Sequence, residues 1–473
     1  MLLEPGPDAQ NLRMYLLAQF FQFSDILLVP LCGTILFLII RSRAERNTEK
    51  HIRGLYYKAF LFKLFYVLAF TLLVNFYFQG GDTALFYQAT LDLRNAVQDD
   101  TGFLSEIIRS MKVDIYDPLA PYFLYDNADM GSINYMRSPS NFFIPKLAFI
   151  PAFLFNNSYL CICLFFSFFA LGGAIRLFKT FYHYFPKYWR EIAIAVLFLP
   201  DVCYWSSGVL KDTICFGCIG YICYGTLNIF VKKRNIPASV LWIAVCSFLM
   251  FYIKAYILLV LLIALIVWQF AEFNKIIKDR TLRRVFAFMT FTVGAIVSFF
   301  MVRYLTSQEA AIGYQLDSLM ERSAGQREQY GLIAEQAEGS YFEIASGSII
   351  LLMLNGVIAT FFRPFPWEIA SPIMLFSAIE ALLFLSLTLL FLFKRGVGRF
   401  FRQCFSDPLI LMCFVFSFGF AMAVGSTTTN FGALSRYKIP CMPFYFLMIL
   451  LLYRKENLKY PKWLSRLLGS LKA

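Results

Sequence analysis

The sequence predicts an all-α polytopic membrane protein, and three observations carry that prediction. First, 59% of the 473 residues are hydrophobic and only 15% charged, with a mean hydropathy of +0.62. A soluble domain has about 45–50% apolar and roughly 25% charged residues. The 55 Phe and 27 Tyr exceed what a water-soluble core of this length takes in. Second, apolar stretches of bilayer-spanning length recur, since a hydrocarbon layer about 30 Å thick needs roughly 20 residues per helix. Third, the segments between them alternate between basic and acidic or mixed.

Taken in order, crossings are expected at about 24–41, 55–78, 142–178 (long and broken), 190–206, 212–231, 237–253, 255–271, 285–305, 372–393, 408–425 and 437–453, about eleven in all. Residues 347–362 are also apolar but end in Arg363-Pro364-Phe365-Pro366-Trp367, and are read as re-entrant or interfacial. The chain thus divides into N-terminal helices (1–78), a first loop with short helices (79–140), hairpins (141–305), a second loop with the re-entrant or interfacial segment (306–371), and C-terminal helices with a basic tail (372–473). Within the second loop, 316–337 reads as a polar helix.

Basic segments lie at 41–58, 176–190, 232–234, 275–284, 394–402 and 454–472. Lys and Arg favour the cytoplasmic side. This predicts an outward N-terminus and a cytoplasmic C-terminus. The net charge of +13 is then topological bias, and nucleic acid is excluded as a partner. The N-terminus lacks a basic start followed by an apolar run, so the first span is expected to act as its own insertion signal.

With only two His, His51 and His183, His-rich metal sites and His-centred triads are excluded. The eleven Cys fall almost wholly in apolar spans, where Cys behaves as a small hydrophobe. Cys215-Phe216-Gly217-Cys218 has a CxxC spacing but no second pair, so no metal ligand set is assigned. No cofactor motif is present, and a divalent metal is left open.

The informative polar residues are those at or inside the expected outer face, where a charge is costly unless paired or wet. Gly80-Gly81-Asp82-Thr83 ends the second span. Two glycines permit a sharp turn, and Asp82 above it is either a general base for an incoming hydroxyl or a cap of the following helix. Lys211 and Asp212 open a helix after Ser206-Ser207-Gly208, as an anion site at a helix N-terminus or a capped turn with a snorkelling lysine. Lys254 lies in the next hairpin turn, at the depth expected for Lys211. Arg363, among aromatics and prolines and followed by Glu368, has the planar fork that grips phosphate. Arg436 and Lys438 precede the last span. Asp201 and Glu380 fall within apolar spans as buried acids. Five cations on the side that positive-inside bias depletes suggest an anion site.

In Asp82 at the head of a long outward loop, in the turn from Ser206 to Asp212, and in Arg436-Tyr437-Lys438-Ile439-Pro440-Cys441-Met442-Pro443-Phe444, the chain resembles the polytopic GT-C-type glycosyltransferases. Here the acidic loop follows the second span rather than the first, which implies one extra N-terminal helix. The resemblance implies residence in a bacterial inner membrane and transfer of a sugar from a polyprenyl-phosphate-linked donor to a glycan or lipid acceptor on its outer side. In that case Asp82 is the base, and Lys211, Asp212, Lys254, Arg363, Glu368, Arg436 and Lys438 bind the substrate. The aromatic-rich stretch 116–135 would stack on the acceptor. An O-antigen-type polymerase, a transporter and an envelope scaffold are the other readings.

Overall fold

The computed structural model describes residues 20–78, 80–123, 133–275, 349–369 and 372–471, together with Asp279, Thr281 and Phe342. The expected crossing at 285–305, the polar helix at 316–337 and most of the second loop lie outside these residues. Among the described residues all regular structure is helical, and seven helices are long and apolar enough to cross a membrane: Asp25–Glu45, Lys50–Phe78, Tyr159–Tyr184, Lys211–Lys232, Ile236–Asn274, Met374–Arg395 and Pro408–Thr427. The chain is an all-α polytopic membrane protein.

The first helix, α1 (Asp25–Glu45), buries Asp25 at its start and beyond it a narrow stripe of Cys32, Leu36, Ile40 and Ala44, one residue per turn on a single face. Ile26, Leu27, Leu31 and Leu38 are exposed on the others. In water such a helix would be an aggregation hazard, whereas in lipid the exposed faces are the solvated ones. Its partner α2 (Lys50–Leu73) runs on through a wider turn, Val74–Phe78.

Gly80 (φ 146°) and Gly81 (φ 89°) then turn the chain in backbone regions that only glycine enters without strain. The turn launches α3 (Asp82–Asp99), which packs on α5 (Pro139–Leu154) with the short α4 (Phe103–Arg109) alongside. The long stretch at 142–178 is indeed broken. Asn156 and Asn157 adopt left-handed conformations (φ 47° and 62°), and Ser158 caps the new helix α6 (Tyr159–Tyr184) by accepting from the Cys161 N–H.

α6 is the axis of the bundle. It lies against α9 (Lys211–Thr226), with Gly173 facing Gly217 and Gly220 so closely that a Cβ at Gly173 would meet the Gly217 carbonyl oxygen at 2.2 Å. Membrane helices often associate through such small residues, which let backbones approach. The two helices run the same way, since the Ser167 hydroxyl donates to the Ser207 carbonyl near their starts. Further along, the Arg176 guanidinium covers the Tyr221 ring at 4.0 Å.

The expected crossing at 190–206 is two short helices, α7 (Trp189–Leu197) and α8 (Pro200–Trp205). Pro200 lacks the N–H and starts a new helix where continuation would fail.

The continuous helical stretch α10 (Ile236–Asn274) contains one non-helical residue, Lys254 (φ −151°, ψ 78°), and there it turns back on itself. On the first arm Trp242 packs on Tyr221 at 4.5 Å, and Lys254 reaches Asp212 at the start of α9. On the second arm Trp268 is edge-on to Tyr184 at 6.0 Å, at the opposite end of α6. The two expected crossings, 237–253 and 255–271, are therefore the arms of this hairpin.

The last third packs around α14 (Pro408–Thr427). The apolar helix α11 (Ile349–Phe362) has 14 residues, about 21 Å at 1.5 Å per residue, less than the hydrocarbon thickness. Gly356 and Gly425 bring it against α14. α12 (Pro372–Arg395) and α13 (Val397–Cys404) precede α14.

Beyond Thr427 the chain doubles back into the bundle as α15 (Phe431–Tyr437), capped by Asn430, whose side chain accepts from the Ala433 N–H. α16 (Met442–Lys455) then starts beside the middle of α14, with Phe444 on Phe416 at 4.6 Å. The expected last crossing at 437–453 is thus a turn followed by a buried 14-residue helix, which together lead from Arg436 to Arg454. The tail ends in α17 (Lys462–Ser470). All eleven cysteines are buried and unbonded.

Candidate functional site

Four elements deliver charged side chains to one place. Asp82 opens α3, Lys211 and Asp212 open α9, Lys254 sits at the reversal of α10, and Arg436 lies near the end of α15. The Arg436 guanidinium joins both carboxylates, with Nη2 2.6 Å from Asp82 Oδ2 and Nε 3.0 Å from Asp212 Oδ2. The Lys254 ammonium donates to Asp212 Oδ1 and lies 4.2 Å from the Tyr437 ring centroid. The same ring faces Arg436 at 5.0 Å, so one aromatic face serves two cations. Lys211 donates to the Ser140 hydroxyl at 2.9 Å, and among the described residues it forms no ion pair.

Burial is graded across the group. The Asp212 side chain is 0% exposed and that of Asp82 30%, so Asp82 is the end that opens outward. Asp82 is docked by its own helix. The Thr83 and Tyr159 hydroxyls hydrogen-bond at 2.7 Å, and the Tyr87 hydroxyl donates to the Asn157 carbonyl at 2.7 Å. Gly81 takes the cap position of α3, while the Asp82 carboxylate turns to Arg436 and the Tyr135 hydroxyl. The capping role is thereby set aside.

Burial by itself would raise the Asp82 carboxyl, but the Arg436 guanidinium outweighs it. With help from Tyr135 and Lys211, Arg436 holds Asp82 below the usual carboxylate range. Counting Lys211, Lys254 and Arg436 against Asp82 and Asp212 leaves one positive charge, which makes the group receptive to an anion.

Arg363 and Glu368 are paired with each other instead. Nε of Arg363 donates to both Glu368 carboxylate oxygens at 2.9 and 3.1 Å, and the guanidinium lies over Phe342 at 4.1 Å and Phe431 at 5.4 Å. Phe431 begins α15 and Arg436 lies near its end. The Arg363–Glu368 pair therefore borders the cluster without joining its ion pairs.

Lys438 goes elsewhere. Two residues along a helix turn by about 200°, so Arg436 and Lys438 leave the end of α15 on opposite sides. Lys438 is buried, 1% exposed, and lies beside the buried acids Asp201 and Glu380. There the Asp201 N–H donates to Glu380 Oε1 at 2.9 Å and the Ser377 hydroxyl donates to Asp201 Oδ2 at 2.7 Å. Nearby, Lys63 of α2 donates to the Cys203 carbonyl and the Ser206 hydroxyl. The expected outer-face group therefore separates into an anion-facing cluster and a second, enclosed polar cluster.

Ser140 is the residue that sequence reasoning missed, with no signal beyond its place at the end of a long polar loop. Tyr135 closes the aromatic-rich stretch expected to stack on the acceptor and Tyr437 stood in the quoted Arg-Tyr-Lys stretch, but neither was expected to partner the charged residues. Among the described residues, no three His, Cys, Asp or Glu side chains group in a way that holds a metal ion. Comparison of the chain with models of known families, with curated proteins and with solved structures finds no match.

Proposed function

We propose that the Asp82–Arg436–Asp212–Lys254–Lys211 cluster binds the phosphate of a lipid-linked sugar and transfers the sugar to an acceptor hydroxyl, on the extracytoplasmic side of a bacterial cytoplasmic membrane. One observation supports this reading above the rest. Acid and base groups far apart in the chain meet at the end of the bundle, with the most exposed acid, Asp82, beside the most basic group. The acceptor is a glycan or a lipid.

In the transfer, the acceptor oxygen bonds to the anomeric carbon as its proton passes to the Asp82 carboxylate. The bond from the anomeric carbon to the phosphate oxygen breaks, and the electron pair leaves with the polyprenyl phosphate. Lys211 and Arg436 stabilise the charge that grows on that phosphate, an effect worth several kcal/mol when donors are held in place. A phosphate reaching Arg436 competes with Asp82 for the guanidinium. Its arrival loosens the Asp82 pair and strengthens Asp82 as a base.

The test is sugar incorporation from a labelled polyprenyl-phosphate donor into membranes carrying the protein. Asp82→Asn should lower it by about 10²–10⁴-fold at unchanged protein level, and undiminished incorporation would end the proposal. Product length separates single transfer from polymerisation, as one added sugar or a ladder.

A second reading, ion-coupled transport, draws on the enclosed Asp201–Glu380–Lys438 group, because ionisable residues inside a membrane bundle commonly mark ion pathways. Counterflow in proteoliposomes without covalent product would favour it.

A further inference from the structure

A second charged region lies at the other end of the bundle, among the basic segments. After α16 the chain turns at Asn457 (φ 52°) and runs back as α17. Leu464 and Leu468 of α17 are buried, and Lys462 and Arg466, also four apart, are exposed on another side. Trp463 and Leu467, each 47% exposed, form a third. A short helix with separate apolar, aromatic and basic faces lies in a membrane interface with its aromatic residue at headgroup level.

Between α17 and the start of α7 is a cavity of about 750 Å³, lined by Arg190, Arg454, Lys459, Lys462 and Arg466 with no acidic residue in its wall. Glu191 lies just behind and is already taken. It is buried and pairs with Arg454 at 2.5 Å. Arg454 is further fixed by Tyr460 at 4.8 Å and Tyr188 at 5.8 Å. Among the described residues the other four cations form no ion pair. With Arg454 balanced by Glu191, two guanidinium groups and two ammonium groups around one hollow repel one another unless an anion enters, and guanidinium pairs phosphate oxygens two at a time.

We propose that this cavity seats the phosphate headgroup of an anionic membrane lipid, whose chains lie beside Trp463 and Leu467. Depth decides for a lipid over a free phosphate. The same helix that supplies Lys462 and Arg466 carries the interfacial face, so the cavity opens at the level where headgroups lie. Basic pockets at the cytoplasmic edge of helix bundles recognise such headgroups in this way. The inference is independent of sugar transfer, because none of the five cations belongs to the Asp82 cluster.

The experiment uses the full-length protein in phosphatidylcholine nanodiscs doped with a few per cent phosphatidylglycerol or cardiolipin. Native mass spectrometry counts retained lipid, and the thermal midpoint is recorded alongside. Anionic lipid should be retained over phosphatidylcholine and should raise the midpoint in a saturable way. K462Q/R466Q should lower retention about tenfold or more while the midpoint in pure phosphatidylcholine stays unchanged, since both side chains are exposed. In a separate arm, inorganic pyrophosphate is added without anionic lipid. Stabilisation by pyrophosphate with no lipid preference would overturn the lipid assignment in favour of a soluble phosphate ligand. Equal retention of all lipids, or full retention by the double variant, would overturn the site itself.

Discussion

Asp82 and Asp212 share Arg436 but have different tasks. Asp82 is the more open of the two and has the proton-accepting role in the proposal. General-base catalysis contributes about 10²–10⁴-fold, so Asp82→Asn should lower transfer by that order, far more than the modest fall in melting midpoint expected from losing the Arg436 pair. Because Arg436 holds the Asp82 carboxyl below its usual range, the ionised pair stabilises the fold at neutral pH. That contribution is lost only as pH falls through the lowered native value. The acid limb of the kcat/KM profile, which reports the free enzyme, should accordingly lie below about pH 4, the ordinary Asp value, and Arg436→Gln should move it upward. Asp212 is structural support. Asp212→Asn leaves Lys254 and Arg436 facing each other without their shared buried counter-charge, a loss of about 3–5 kcal/mol, which should read as a lower melting midpoint or as failure to accumulate. These charged residues were legible in the sequence because a charge inside an apolar chain needs a reason. Their aromatic and hydroxyl partners were not, since one Tyr among 27 carries no such signal.

At the scale of helices, close approach matters more than length. α6 and α9 touch through Gly173, Gly217 and Gly220, and a Cβ at Gly220 would come within 1.9 Å of the Gly173 carbonyl oxygen. Backbone cannot yield as a side-chain tip can. Gly173→Val should therefore cost at least the 1–3 kcal/mol typical of overpacking, or about that much and more, measurable as a lower midpoint in detergent. A comparable change at Gly33, with nothing near its Cβ position, should be silent. Hydropathy found the long helices and the α10 hairpin correctly, because those depend on local composition. It did not show that the crossings at 190–206 and 437–453 are broken into shorter helices near Pro200, Pro440 and Pro443. A broken crossing and a continuous one look alike in a hydropathy window, and only packing against neighbours tells them apart.

For the molecule as a whole, the two charged regions lie at opposite ends, and the proposal orients them. Tyr116, 96% exposed, belongs to the loop beside Asp82, and Lys459 to the basic cavity. If Asp82 faces outward, a membrane-impermeant maleimide should label Tyr116→Cys in intact cells and reach Lys459→Cys only after permeabilisation. The reverse pattern would invert the topology and remove the polyprenyl-phosphate donor from reach. The eleven native cysteines are buried, which keeps the background of such an assay low. Charge bias in the sequence supplies the expected orientation that this labelling tests. The partition of the cations into two separate clusters was not legible there, because it arises from the 200° turn between Arg436 and Lys438 that a linear pattern does not display.

The reversal at Lys254 has a consequence for biosynthesis. The tip of the α10 hairpin is an ammonium group, and carrying a lysine to the middle of a bilayer costs about 2.5–3.5 kcal/mol on insertion scales. Asp212, its counter-ion, is made 42 positions earlier, so it is already emerging when the hairpin leaves the ribosome. Threading α9 and both arms together as one three-helix unit lets the charge travel neutralised, whereas Arg436 arrives last and locks a pair already in place.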